Sequence, residues 1–274
     1  MIINRNKRGG GNEMNKKENN VRKFNPLRYL NYSLLPISIF VFWYVVTKIG
    51  EVPTVLLPTI SSVIESFKSQ IESGRLMQDL SISLMRILKG YSLAALIGIT
   101  LGVVMGMNEK INRFFIFTFT SIRQIPMLAW IPLLVMWFGI GEESKVAVIF
   151  LASYFPIMIN TVSGIKRSDS KLIEVGKMYD LSHWELFTKI YLPSALPSIF
   201  VGLKLGLGIS WMAVVGAEMI AANSGIGFRI NDARSLMQSS VVFSGIISIA
   251  IVGVIMDFIL TYIAKASTPW EARD

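Results

Sequence analysis

The sequence predicts an all-α membrane protein with about six transmembrane helices. Three observations carry that expectation. Of 274 residues, 52% are hydrophobic and 16% charged, against about 25% charged in a soluble domain. The charges are clustered. The uncharged stretches between them approach the roughly 20 apolar residues that cross a bilayer core.

Cysteine is absent, which removes disulfides, thiolate metal sites and Cys nucleophiles. The net charge of +9 fits basic loops on the inner face of a membrane better than nucleic-acid binding, since no face of such a bundle is free for it.

Residues 1–28 are polar and basic and read as a disordered tail. Arg8-Gly9-Gly10-Gly11 upstream of Met14 looks like translated ribosome-binding sequence, so Met14 is the expected start. The first span is expected over Leu34 to Ile49. Between Thr59 and Ile71 the apolar residues Ile60, Val63, Ile64, Phe67 and Ile71 share one helical face, and Ser62 with Glu65 suggests a capping box after Pro58. That pattern predicts an amphipathic surface helix. The second span runs from Ser83 to Met107, with Gly98, Gly102 and Gly106 spaced for close helix packing. The third, Phe114 to Phe138, is expected to break at Arg123-Gln124-Ile125-Pro126 and again at Pro132. The fourth covers Lys145 to Ile165 and the fifth Ser198 to Ala222, where Gly202, Gly206 and Ser210 repeat the small-residue spacing. A polar loop, Asn223 to Ser240, leads to the sixth span, Val241 to Ala264. The expected layout is a tail over 1–28, a transmembrane domain over 29–266 with its main loop at 166–193, and a tail over 267–274.

Six spans place both termini on one side. That side holds 17 Lys and Arg, and the other holds five (Lys68, Arg75, Lys145, Arg229 and Arg234). By the positive-inside rule both termini and the 166–193 loop are expected in the cytoplasm.

That loop is too polar to span. Leu172, Val175 and Tyr179 mark one face of a short helix, and Pro193 and Pro197 introduce the fifth span. Glu174, and then Ile190, Leu192 and Pro193 at a fixed distance, match a cytoplasmic signature of Glu-Ala-Ala, three residues, Gly, nine residues and Ile-x-Leu-Pro. Val175 and Gly176 stand for the two alanines, and Asp180 for the usual glycine. Asp tolerates left-handed backbone better than most residues, so the turn can survive. With IRQIPMLAWIPLLVMWFGIG and GLKLGLGISWMAVVGAEMIAANSGIG, the chain resembles permease subunits of binding-protein-dependent ABC importers, in the branch for nitrate, taurine and aliphatic sulfonates.

The resemblance implies a type I importer permease of the bacterial cell membrane, working as a homodimer. It implies an ATPase dimer that docks on the loop through Leu172, Glu174, Val175, Gly176, Asp180 and Leu181, and an external substrate-binding protein. ATP and Mg²⁺ would sit on the ATPase, with no cofactor on this chain. A related solute such as a thiamine precursor is an alternative cargo.

Inside the spans, Arg123, Gln124, Tyr154, Asn160, Trp211 and Glu218 are candidates to line a path, and each is equally a candidate packing contact. Glu218 is costly at membrane depth, so it should be paired, with Arg123 or Lys204 as partner, or functional. Arg123 is the candidate for an anion path. Asp257 should be interfacial or meet a cation. One histidine, His183, cannot build a metal site. No phosphate-binding Gly-x4-Gly-Lys-Ser/Thr motif is present, GIGEESK being the nearest run, so ATP should be hydrolysed by another chain. An ion-gradient transporter would leave the loop signature unexplained, and a non-transporting scaffold would need neither broken helices nor that loop.

Overall fold

The computed structural model describes residues 26–50 and 52–270. Of the expected tail over 1–28, residues 1–25, with the proposed start at Met14, lie outside the described residues, as do residues 271–274, while 26–28 open the first helix. Every regular element among the described residues is helical. The chain divides into two compact units between Val52 and Pro53. The first holds α1 (Pro26–Ile49), whose apolar stretch is Leu34–Ile49.

The second unit holds α2 (Ile60–Glu72), α3 (Arg75–Met107), α4 (Glu109–Arg123), α5 (Met127–Phe138), α6 (Glu142–Lys166), α7 (Ser170–Met178), α8 (His183–Leu186), α9 (Leu192–Ala221), α10 (Ile226–Ser235) and α11 (Ser239–Ser267). Among the described residues, four helices are long and apolar enough to cross a membrane: α3, α6, the continuous run from α8 through α9, and α11. The α4–α5 pair, bent by 97°, makes a fifth if taken as one span.

The core is α6 between α3 and α9. Ile149, Ile157, Met158 and Ile165 of α6 are fully buried. The glycines let these helices approach at backbone range. A Cβ on Gly102 would lie 2.6 Å from Thr161 Cβ, and one on Gly106 2.6 Å from Ile165 Cβ. At Gly98 it would meet Ile157 Cγ2 at 3.2 Å. From the other side, Gly202 faces Asn160 and Gly206 faces Ile157, while Gly164 of α6 faces Ser198 and Ala195.

Three expectations are corrected. The third span breaks at Gln124–Pro126, but α5 runs on through Pro132. Pro132 sits inside this helix and forfeits the bond to Leu128 O without ending it. The cap of α2 is Thr59, whose hydroxyl accepts from Ser62 N at 3.2 Å; Ser62 donates back to Thr59 O at 2.8 Å and forms no capping box with Glu65. The polar stretch after α9 is not a plain loop. It holds α10, which buries Ile226, Ile230 and Ala233.

Candidate functional site

The loop between α6 and α9 is rigidly built. Asp169 caps α7, its carboxylate accepting from Lys171 N at 2.9 Å. α7 ends in a Schellman motif: Leu181 N donates to Gly176 O and Asp180 N to Lys177 O, both at 3.1 Å. Asp180 holds the left-handed position, with φ of 52°. Gly176 is buried beneath Leu186, Ile190 and Leu181. The opposite face, Leu172, Val175, Met178 and Tyr179, is exposed, Tyr179 by 79%. Glu174 is exposed beside it and carries no ion pair among the described residues.

Ser182 and Glu185 form a reciprocal capping box at α8. Glu185 also accepts from Lys189 Nζ and from the Ser182 hydroxyl, both at 2.9 Å. Phe187–Tyr191 is a π-helical turn. The π turn widens the helix just ahead of Pro193, whose ring would otherwise press on the carbonyl of Lys189. α8 therefore continues into α9 without a break. Ile190, Leu192 and Pro193 of the signature form this junction.

At the other end of α6 lies a buried polar hub. Glu218 of α9 accepts from Arg86 Nη1 at 2.7 Å, from Gly227 N at 2.9 Å, and from Ser83 Oγ at 2.8 Å. Arg86 also donates to both carboxylate oxygens of Glu142, to Ser224 O at 2.8 Å and to Ser224 Oγ at 3.0 Å. All five guanidinium donors are thus used. Ser83 Oγ accepts from Ile226 N at 3.1 Å, and Asp79 pairs with Arg229 at 2.9 Å. The hub therefore pins α10 to α3 and α9. Gly225, at φ of 102°, passes so close that a Cβ there would lie 2.5 Å from the Glu218 carboxyl carbon.

The family described as "Binding-protein-dependent transport system inner membrane component" matches residues 94–268. The chain belongs to that family. It is 37% identical over 238 residues to the putative aliphatic sulfonates transport permease protein SsuC of Bacillus subtilis, covering 87% of this chain and 86% of that one. With the taurine transport system permease protein TauC of Escherichia coli it shares 32% identity, covering 84% and 86%. The fold is that of ABC importer permeases: a chain of the MetNI methionine ABC transporter, in an inward-facing conformation, superposes with a TM-score of 0.64 at 17% identity, covering 73% of this chain and 99% of that one.

The remaining candidate residues of the permease fall into two groups. Glu218, Tyr154 and Trp211 are buried in packing. Tyr154 stacks on Phe150 and meets Phe119 and Phe155 edge-on, and Trp211 Nε1 donates to Ile249 O at 3.1 Å. Glu218 pairs with Arg86 rather than with Arg123 or Lys204, and Lys204 instead meets Asp257 at 3.1 Å. Arg123, Gln124 and Asn160 line a cavity of about 480 Å³ at the α4–α5 break. His183 is exposed at the start of α8. The sequence reading missed Arg86. The available signal was a basic residue in the apolar run of α3, where Arg86 and Lys89 both fall, set against Glu218, the one carboxylate of α9.

Proposed function

We propose that this permease carries small organic sulfonates across the bacterial cell membrane as a homodimer, fed by an external binding protein and driven by two ATPase subunits docked on α7. The cargo rests on the names of its sulfonate and taurine relatives. The observation that carries the drive is α7 itself, an apolar face turned outward and locked from beneath through Gly176.

The route for force follows from the chain. Three residues join α7 to α6, and a continuous helix joins α8 to α9. α6 and α9 pack at backbone range on each other, and α6 does so on α3. A push on α7 therefore moves one body, switching the pore between two packed states. ATP and Mg²⁺ belong on the ATPase subunits, whose hydrolysis resets the cycle. The excess of Lys and Arg on one side supports a cytoplasmic place for both termini and α7.

The test is uptake into proteoliposomes holding permease, ATPase and binding protein. Labelled taurine or an alkanesulfonate should accumulate when ATP is hydrolysed. Uptake driven by an ion gradient without hydrolysis would overturn the drive, and uptake of nitrate to the exclusion of sulfonates would overturn the cargo.

A further inference from the structure

We propose that the half-open cavity at the α4–α5 break is a binding site for an alkanesulfonate, with the sulfonate on Arg123 and the carbon chain against Trp130 and Phe155. This rests on the sulfonate reading above and adds a site and a preference to it. The cavity, about 480 Å³, falls within the roughly 300–1,000 Å³ of ligand pockets. Its lining is two-faced. Arg123, Gln124 and Asn160 supply donors, and Trp130, Phe155 and Ile209 supply apolar wall.

Arg123 has no ion pair or hydrogen-bond acceptor for its side chain among the described residues. Arg86 and Arg229, by contrast, are both matched to carboxylates. Arg123 and Gln124 are exposed at the mouth of the cavity, so the guanidinium is open to an anion there. Asn160 spends one amide hydrogen on Pro156 O at 2.8 Å and keeps the other. The first-turn N–H groups of α5 begin at Met127, which also lines the cavity, and add donors of the same sign. The planar guanidinium suits an oxyanion.

Among the described residues, no acidic side chain lines the cavity. The ammonium of an aminosulfonate such as taurine would find no carboxylate there and would displace water from apolar wall. The site is therefore selective for a plain alkyl tail.

The experiment uses the permease–ATPase complex in phosphatidylcholine nanodiscs, without binding protein, and measures equilibrium binding of ³⁵S-labelled butanesulfonate. Saturable binding is expected, about tenfold weaker in Arg123→Gln and largely retained in Arg123→Lys, as for loss of one charge-assisted contact. Taurine should displace the label only at concentrations about tenfold higher than unlabelled butanesulfonate. No saturable binding, equal binding by Arg123→Gln, or equal displacement by taurine or sulfate overturns the proposal. Displacement by added phosphatidylglycerol also overturns it, marking a lipid headgroup site. Proteoliposome uptake separates the two readings. If the wild-type complex with its binding protein imports no sulfonate, the proposed cargo fails; if it does so and Arg123→Gln imports equally well, this site alone fails.

Discussion

Arg86 Nη1 stands 2.7 Å from Glu218 Oε1, joining α3 to α9 where neither side chain meets solvent. Each ion is answered on every side, so halving the hub is severe. Arg86→Ala should destabilise the protein by about 3–5 kcal/mol, because it strands a buried carboxylate. Pairing it as Arg86→Met with Glu218→Leu should cost far less. Unfolding in mixed micelles measures both, and additive losses would show that the two residues are not coupled.

Gly102→Ala places a Cβ 2.6 Å from Thr161 Cβ and 2.9 Å from Met158 O, neither of which can swing aside. The expected cost is about 1–3 kcal/mol from overpacking. Gly208 of α9 has nothing within 4 Å of its would-be Cβ, so Gly208→Ala should be neutral or slightly stabilising. The same unfolding assay compares them.

At Asp180 the backbone is left-handed. Asp180→Gly should stabilise the loop by about 0.5–1 kcal/mol, and Asp180→Val should destabilise it by about 1–2 kcal/mol. Limited proteolysis of the 179–182 turn reads the order, and a valine variant as resistant as wild type would contradict the strain.

Glu174→Lys reverses a charge on the exposed side of α7 without touching its buried face. Membrane insertion should be unchanged while the ATPase subunit copurifies less well. Normal copurification would place the docking surface elsewhere.

Long apolar runs announced α3, α6, α9 and α11, because hydropathy acts within one element. The turn at Asp180 was readable for the same reason, since a fixed motif position demands a particular φ. The Arg86–Glu218 pair was not, as its partners lie 132 residues apart and nothing local links them. α10 was hidden by its polarity: it buries Ile226, Ile230 and Ala233 and is held by side chains of α3 and α9 rather than by an apolar stripe of its own. At α2, one hydroxyl decided the cap, and Thr59 and Ser62 both offered one. Of the intramembrane polar residues, sequence alone could not separate Arg123, which faces a cavity, from Trp211, which is packed away.

The π turn at Phe187–Tyr191 makes the interval between Glu174 and Pro193 an angle as much as a length. Each residue in an α-helix advances the azimuth by about 100°. The π turn closes over about one residue more than an α turn, so it takes up that residue without rotating α8 and α7 about the axis of α9. Deleting one residue there would tighten the turn to α-helix and leave the outward face of α7 in phase, while pressing the Pro193 ring back onto the carbonyl before it. Deleting one from the α-helical stretch that follows would instead swing α7 away from its partner, so the same change of count is mild in one place and severe a turn later.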